Sequence, residues 1–90
     1  MLKLNSSGRF DKDLKKCVRR GYDLKLLQDV INVLRIPEEL PQKNRNHQLK
    51  GNYIGKMECH IAPDWLLIYE IFEGELYLER TGTHSDLFRE

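Results

Sequence analysis

Hydrophobic and polar positions alternate at the start of the chain, then recur at helical spacing, then alternate again to near its end. Met1 to Asn5 sets Leu2 and Leu4 either side of Lys3, which predicts a short strand with one buried face. Ser6-Ser7-Gly8 interrupts it, and either serine can cap a helix that has Asp11 in its first turn, at the positive end of the helix dipole. In that helix Phe10, Leu14, Cys17 and Val18 form an apolar stripe, while Lys12, Lys15, Lys16, Arg19 and Arg20 take other angles. Gly21 ends it. Asp23 then caps a second helix, with Leu24, Leu27, Ile31 and Leu34 on one face and Leu26, Val30 and Val33 widening it. Pro37 stops this helix by Ile36, because the residue before a proline is pushed out of helical geometry.

Pro37 to Asn46 lacks periodicity and reads as a surface loop that closes in an abbreviated strand and turn over His47 to Asn52. Met57, Cys59 and Ile61 alternate with Glu58 and His60, so His60 points away from the core. Ala62-Pro63-Asp64 turns the chain into Trp65 to Phe72, whose nearly continuous apolar run suits a central strand covered on both faces. Glu73-Gly74 makes a tight hairpin into Glu75 to Thr81, and His84 to Phe88 has room for a single helical turn. The expected fold is α+β: an N-terminal strand and a two-helix hairpin packed on a three- to four-stranded antiparallel sheet, with residues 1–90 as one domain. The helices cover one sheet face. The other is left for chemistry.

Composition adds an asymmetry. Residues 1–50 hold twelve Lys/Arg against six Asp/Glu, and residues 51–90 hold three against eight, so a net charge of +1 conceals a basic half and an acidic one. Basic residues gathered on one helix face suit an anionic partner such as nucleic acid, and equally suit a solvated face. No apolar run approaches a membrane span and the N-terminus lacks the apolar core of a secretory signal, so the expectation is a cytoplasmic protein with no membrane partner. Cys17 and Cys59 are far apart, which predicts two reduced, buried thiols.

The candidate chemistry lies in the second half, where all three histidines, His47, His60 and His84, fall at strand ends or in adjacent loops. Histidine titrates nearest neutrality, so a group of them supplies a general acid and a general base together. RNA brings its own nucleophile, the 2′-hydroxyl. Cleavage then needs a base, an acid and a group that steadies the phosphorane, and His47, His60, Asp64, His84 and Arg80 cover those tasks. Phe88 can stack on a base. The same residues also suit a hydrogen-bonded turn, an ion pair and a pinned tail. No histidine pair has helical zinc spacing, and neither a metal nor a cofactor is expected.

Three ordered segments weigh on that choice: His47-Gln48-Leu49-Lys50-Gly51, Cys59-His60-Ile61-Ala62-Pro63-Asp64-Trp65, and Glu79-Arg80-Thr81-Gly82-Thr83-His84-Ser85-Asp86-Leu87-Phe88. Together they resemble the YafQ branch of the RelE/ParE toxin superfamily, along the whole chain. The resemblance implies a RelE-like fold and a toxin of a type II toxin–antitoxin system. It implies a metal-independent endoribonuclease that cuts mRNA in the ribosomal A site, with His47, His60, Asp64, His84 and Phe88 as site residues and Arg80 as phosphate ligand. On that basis His84 is expected as general acid and Asp64 as general base, and Lys12, Lys15, Lys16 and Arg19 as contacts for ribosomal RNA. The implied partners are a DinJ- or RelB-like antitoxin, the ribosome and mRNA, with operator DNA reached only through the antitoxin. The alternatives are a non-catalytic homologue acting in antitoxin-bound autorepression and a ParE-like gyrase inhibitor.

Overall fold

Why the N-terminal strand exists at all is explained by its partner. In a computed structural model, which describes residues 1–88, β1 (Lys3–Ser6) lies parallel to β5 (Glu75–Gly82), and the Ser7 amide donates to the Leu78 carbonyl at 2.9 Å. Between them in sequence come α1 (Gly8–Arg19), α2 (Leu24–Arg35), β2 (His47–Gln48), β3 (Met57–Ala62) and β4 (Trp65–Phe72), and α3 (His84–Phe88) follows β5. The strand order is β1-β5-β4-β3-β2. The four strands after the helices are antiparallel, as the alternation predicts, and β1 makes the sheet five-stranded and mixed.

The helix hairpin is stitched to the sheet at both ends. Ser7 caps α1 by accepting the Phe10 amide at 2.9 Å and donates its hydroxyl to the Glu79 carbonyl at 2.7 Å, so the α1 N-terminus sits on β5. Asp23 caps α2, and the Leu2 amide donates to the Arg35 carbonyl at 2.7 Å at the other end. The main core lies between: Phe10, Cys17, Leu27, Ile31 and Leu34 from the helices meet Cys59, Trp65, Leu67 and Tyr69 from the sheet. Among these, each buried leucine, isoleucine or phenylalanine side chain stabilises the fold by about 1.5 to 3 kcal/mol. Both cysteines are free thiols, and burial pushes that of Cys59 up to about 12.

The opposite face carries a second, smaller cluster of Leu66, Ile68 and Leu87, flanked by Leu49, Tyr53 and Phe88. β4 is therefore covered on both sides only as far as Tyr69; Ile71 and Phe72 near the hairpin tip are exposed, against the sequence reading. Leu4, Val18 and Leu24 are exposed too. Leu4 lies on an edge strand, and Val18 and Leu24 flank the turn between the helices, where the stripes run past the edge of the sheet.

Candidate active site

Sheet register gathers residues that the sequence scatters. His47 pairs with Glu58, Glu58 with Ile68 and Ile68 with Arg80, so one row of side chains crosses four strands on the face away from the helices. The next row holds His60 opposite Leu66 and Leu66 opposite Gly82. Leu66 and Ile68 form an apolar floor, and the charged and imidazole groups stand at its rims.

α3 completes the site because its start is held firmly. Thr83 and Asp86 cap one another: the Thr83 amide donates to Asp86 Oδ2 at 2.9 Å and the Asp86 amide to Thr83 Oγ1 at 3.1 Å. Arg20 from the end of α1 clamps the same carboxylate with two bonds, 2.6 and 3.0 Å, and holds its pKa well below the usual range. Only glycine fits before this cap. At Gly82 φ is +153°, and a Cβ would lie 2.8 Å from Asp86 Oδ2.

That cap delivers His84 to Asp64. One carboxylate oxygen, Asp64 Oδ1, accepts both the His84 ring Nδ1–H at 2.8 Å and the His84 backbone N–H at 3.1 Å. These bonds lower the Asp64 pKa, and they leave Nε2 as the ring nitrogen of His84 with no hydrogen bond among the described residues. The His60 ring stands edge-on to His84 at 5.8 Å between centroids, and Phe88 lies 6.4 Å beyond His84. Phe88 in turn meets Tyr53 edge-on at 5.9 Å.

At the sheet edge His47 faces two acceptors, the Arg45 carbonyl at 2.7 Å from Nδ1 and Glu58 at 3.2 Å from Nε2. Glu58 is buried, and its other oxygen, Oε2, has no hydrogen-bond partner among the described residues. Across the site Asp13 of α1 grips Arg80 through Nε at 2.6 Å and Nη2 at 3.1 Å and also accepts the Thr81 amide at 3.1 Å. Asp13, with a smaller contribution from Tyr53, holds the Arg80 pKa above its ordinary value.

Of the residues expected from sequence, His60, Asp64, His84 and Phe88 form one contiguous group. His47 and Arg80 occupy the two ends of the neighbouring row. Among the basic residues of α1, Lys16 is drawn to Asp86 at 3.4 Å, whereas Lys12, Lys15 and Arg19 are exposed without an ion pair among the described residues. Glu58, Asp13 and Tyr53 escaped the sequence reading. Glu58 carried a signal, since it lies two residues from His60 on the same strand face; Asp13 carried none, being 67 residues from Arg80.

One group among the described residues is suited to a cation: the ligand atoms of Glu58, His60 and His84 lie within 4.8 Å of one another. Two imidazoles and a carboxylate are a donor set that zinc or copper accepts.

The chain matches, over residues 2–89, the family described as the bacterial toxin of type II toxin-antitoxin system, YafQ. It is 38% identical to the mRNA interferase toxin YafQ of Escherichia coli K12, over 91% of this chain and 90% of that one. Among solved structures it resembles a copper-bound mutant toxin from Helicobacter pylori, with TM-score 0.94, 44% identity, and 98% and 100% of the two chains covered. It also resembles the toxin in the E. coli DinJ-YafQ toxin-antitoxin complex, with TM-score 0.88, 34% identity, and 98% and 99% covered.

Proposed function

The chain belongs to the YafQ family of type II toxins, and on that premise we propose that it is an endoribonuclease that cuts mRNA on the ribosome and is neutralised by a small DinJ-like antitoxin. The observation that carries the reading is the Asp64–His84 pair. A carboxylate that binds both the ring Nδ1–H and the backbone amide of one histidine fixes the tautomer and the direction of Nε2, which is what a general acid needs.

The reaction is transesterification within RNA. A base removes the 2′-hydroxyl proton, O2′ attacks phosphorus, the bond to O5′ breaks, and an acid returns a proton to O5′. The products carry a 2′,3′-cyclic phosphate and a 5′-hydroxyl. His84 Nε2 is the acid. Asp64, the base in the sequence reading, is already engaged with His84 and its pKa is lowered, so it serves better as the orienting group. His60 takes the base role instead: it is half-buried, its ring adjoins His84, and the Glu58 carboxylate lies close by to orient it.

Arg80 supplies positive charge for the phosphorane, and His47 a ring nitrogen at the other end of the row. Asp13 holds the Nε–Nη2 edge of Arg80, so the guanidinium is set at a fixed angle from which its other hydrogens can meet a phosphate oxygen. No step is routed through a metal, and an ion on Glu58, His60 and His84 would block the acid and the base together. Lys12, Lys15 and Arg19 are the contacts for ribosomal RNA phosphates, with Lys16 shared between that surface and the α3 cap. Expression of the chain and of His84→Ala in cells, with mapping of mRNA ends, tests the reading: cuts that persist in the variant would refute it.

A further inference from the structure

We infer that the groove between the α1 N-terminus and Phe88 is a second RNA subsite, which holds the phosphate and base of a nucleotide beside the one being cut. The inference rests on the proposed cleavage of RNA. The groove has a volume of about 470 Å³, room enough for a nucleotide, and is lined by Arg9, Lys50, Asn52, Tyr53, Leu87 and Phe88.

Three observations select this ligand. Arg9 and Lys50 come from separate elements, α1 and the loop after β2, yet line one groove, and neither forms an ion pair among the described residues. Two exposed cations with no carboxylate partner among the described residues make a local positive potential suited to a phosphate. Next to them Tyr53 and Phe88 meet edge to face, presenting an aromatic surface on which a base of any identity can stack. Phe88 also adjoins His84, so a strand whose scissile phosphate lies at His84 passes into this groove within a nucleotide. Asn52 adds an amide for a sugar or base edge. Cations beside an aromatic pair match single-stranded RNA, whose bases are free to turn onto the rings, better than a duplex, whose bases are stacked inside.

The test is binding of a single-stranded oligonucleotide with 2′-deoxy sugars, which cannot be cut, followed by fluorescence anisotropy across a range of salt. Replacing both cations, Arg9→Gln with Lys50→Gln, should weaken binding about tenfold or more at low salt and reduce the slope of log K against log salt by about 0.7 to 1.4. Phe88→Leu should weaken binding about fivefold or more with the slope unchanged. A charge-matched control, Lys3→Gln with Lys25→Gln, should bind as the wild type does. An unchanged slope in the Arg9/Lys50 variant, an equal loss in the control, equal dependence on Arg9 and Lys50 for a duplex of the same length, or no binding by the wild type would each overturn the subsite. If binding depends on Arg9 and Lys50 as stated while mRNA on ribosomes stays whole, the subsite stands and the nuclease reading falls.

Discussion

Asp64 Oδ1 binds His84 twice, at the ring Nδ1 and at the backbone amide, so a residue in the β3–β4 turn fixes both the position of α3 and the orientation of its first side chain. Replacing Asp64 tests whether this link serves the chemistry. Asp64→Ala should lower the cleavage rate on ribosomes about 10- to 100-fold, and His84→Gln about 100- to 10,000-fold, the usual range for a general acid. Ribosome association, measured by co-sedimentation, should hold in both. If Asp64→Ala cuts at the wild-type rate, the carboxylate has no part in orienting His84.

The α3 cap should show its charge in a pH titration. Arg20 and the Thr83 groups lower the Asp86 pKa, so the contribution of Asp86 to stability is full above its unfolded pKa of about 3.9 and is lost as pH falls through the lower folded value. Asp86→Asn should therefore cost about 1 to 2 kcal/mol in thermal melts at pH 7, and the deficit should close in strong acid. A deficit that is the same at both pH values would mean the ion pair is not what holds α3.

Much of this arrangement could be read from the sequence, because it depends on local rules. Alternation over 57–61 pointed His60 away from the core, the serine and aspartate caps located both helices, and Glu73-Gly74 marked its hairpin. What could not be read depends on pairing at long range. The place of β1 beside β5 follows from how the helix hairpin packs, and no feature of Lys3–Ser6 specifies a parallel neighbour 72 residues away. Asp13 reads as one more polar position on a helix until α1 lies along β5 and sets it against Arg80. Glu58 shares the face of His60 in the alternation, yet it is buried, with His47 of β2 and Ile68 of β4 on either side of it.

The grip of Asp13 on Arg80 leads to a prediction of its own. Asp13→Ala leaves a largely buried guanidinium without its carboxylate and should destabilise the fold by about 3 kcal/mol in urea unfolding. Asp13→Asn preserves shape and a hydrogen-bond acceptor and should be milder, but cleavage should still fall with substrate affinity little changed, because Arg80 is no longer held at a fixed angle. Full activity in Asp13→Asn would remove Asp13 from the account of the site.

Metal ions should inhibit. Zinc or copper bound by Glu58, His60 and His84 occupies the acid and the base, so titrating either ion into the cleavage reaction should lower the rate, and a chelator should restore it. Glu58→Gln should need more metal for the same inhibition. Stimulation by the ion would contradict the assigned proton pathway.

The central claim is that histidines at this site cut RNA through its own 2′-hydroxyl. The direct measurement is the chemistry of the new ends on a defined mRNA bound to programmed ribosomes, with purified toxin and excess chelator, for the wild type and His84→Gln. The wild type should cleave in chelator, leaving 2′,3′-cyclic phosphate and 5′-hydroxyl ends, and His84→Gln should lose both products. Ends bearing a 5′-phosphate, or cleavage abolished by the chelator, would contradict it.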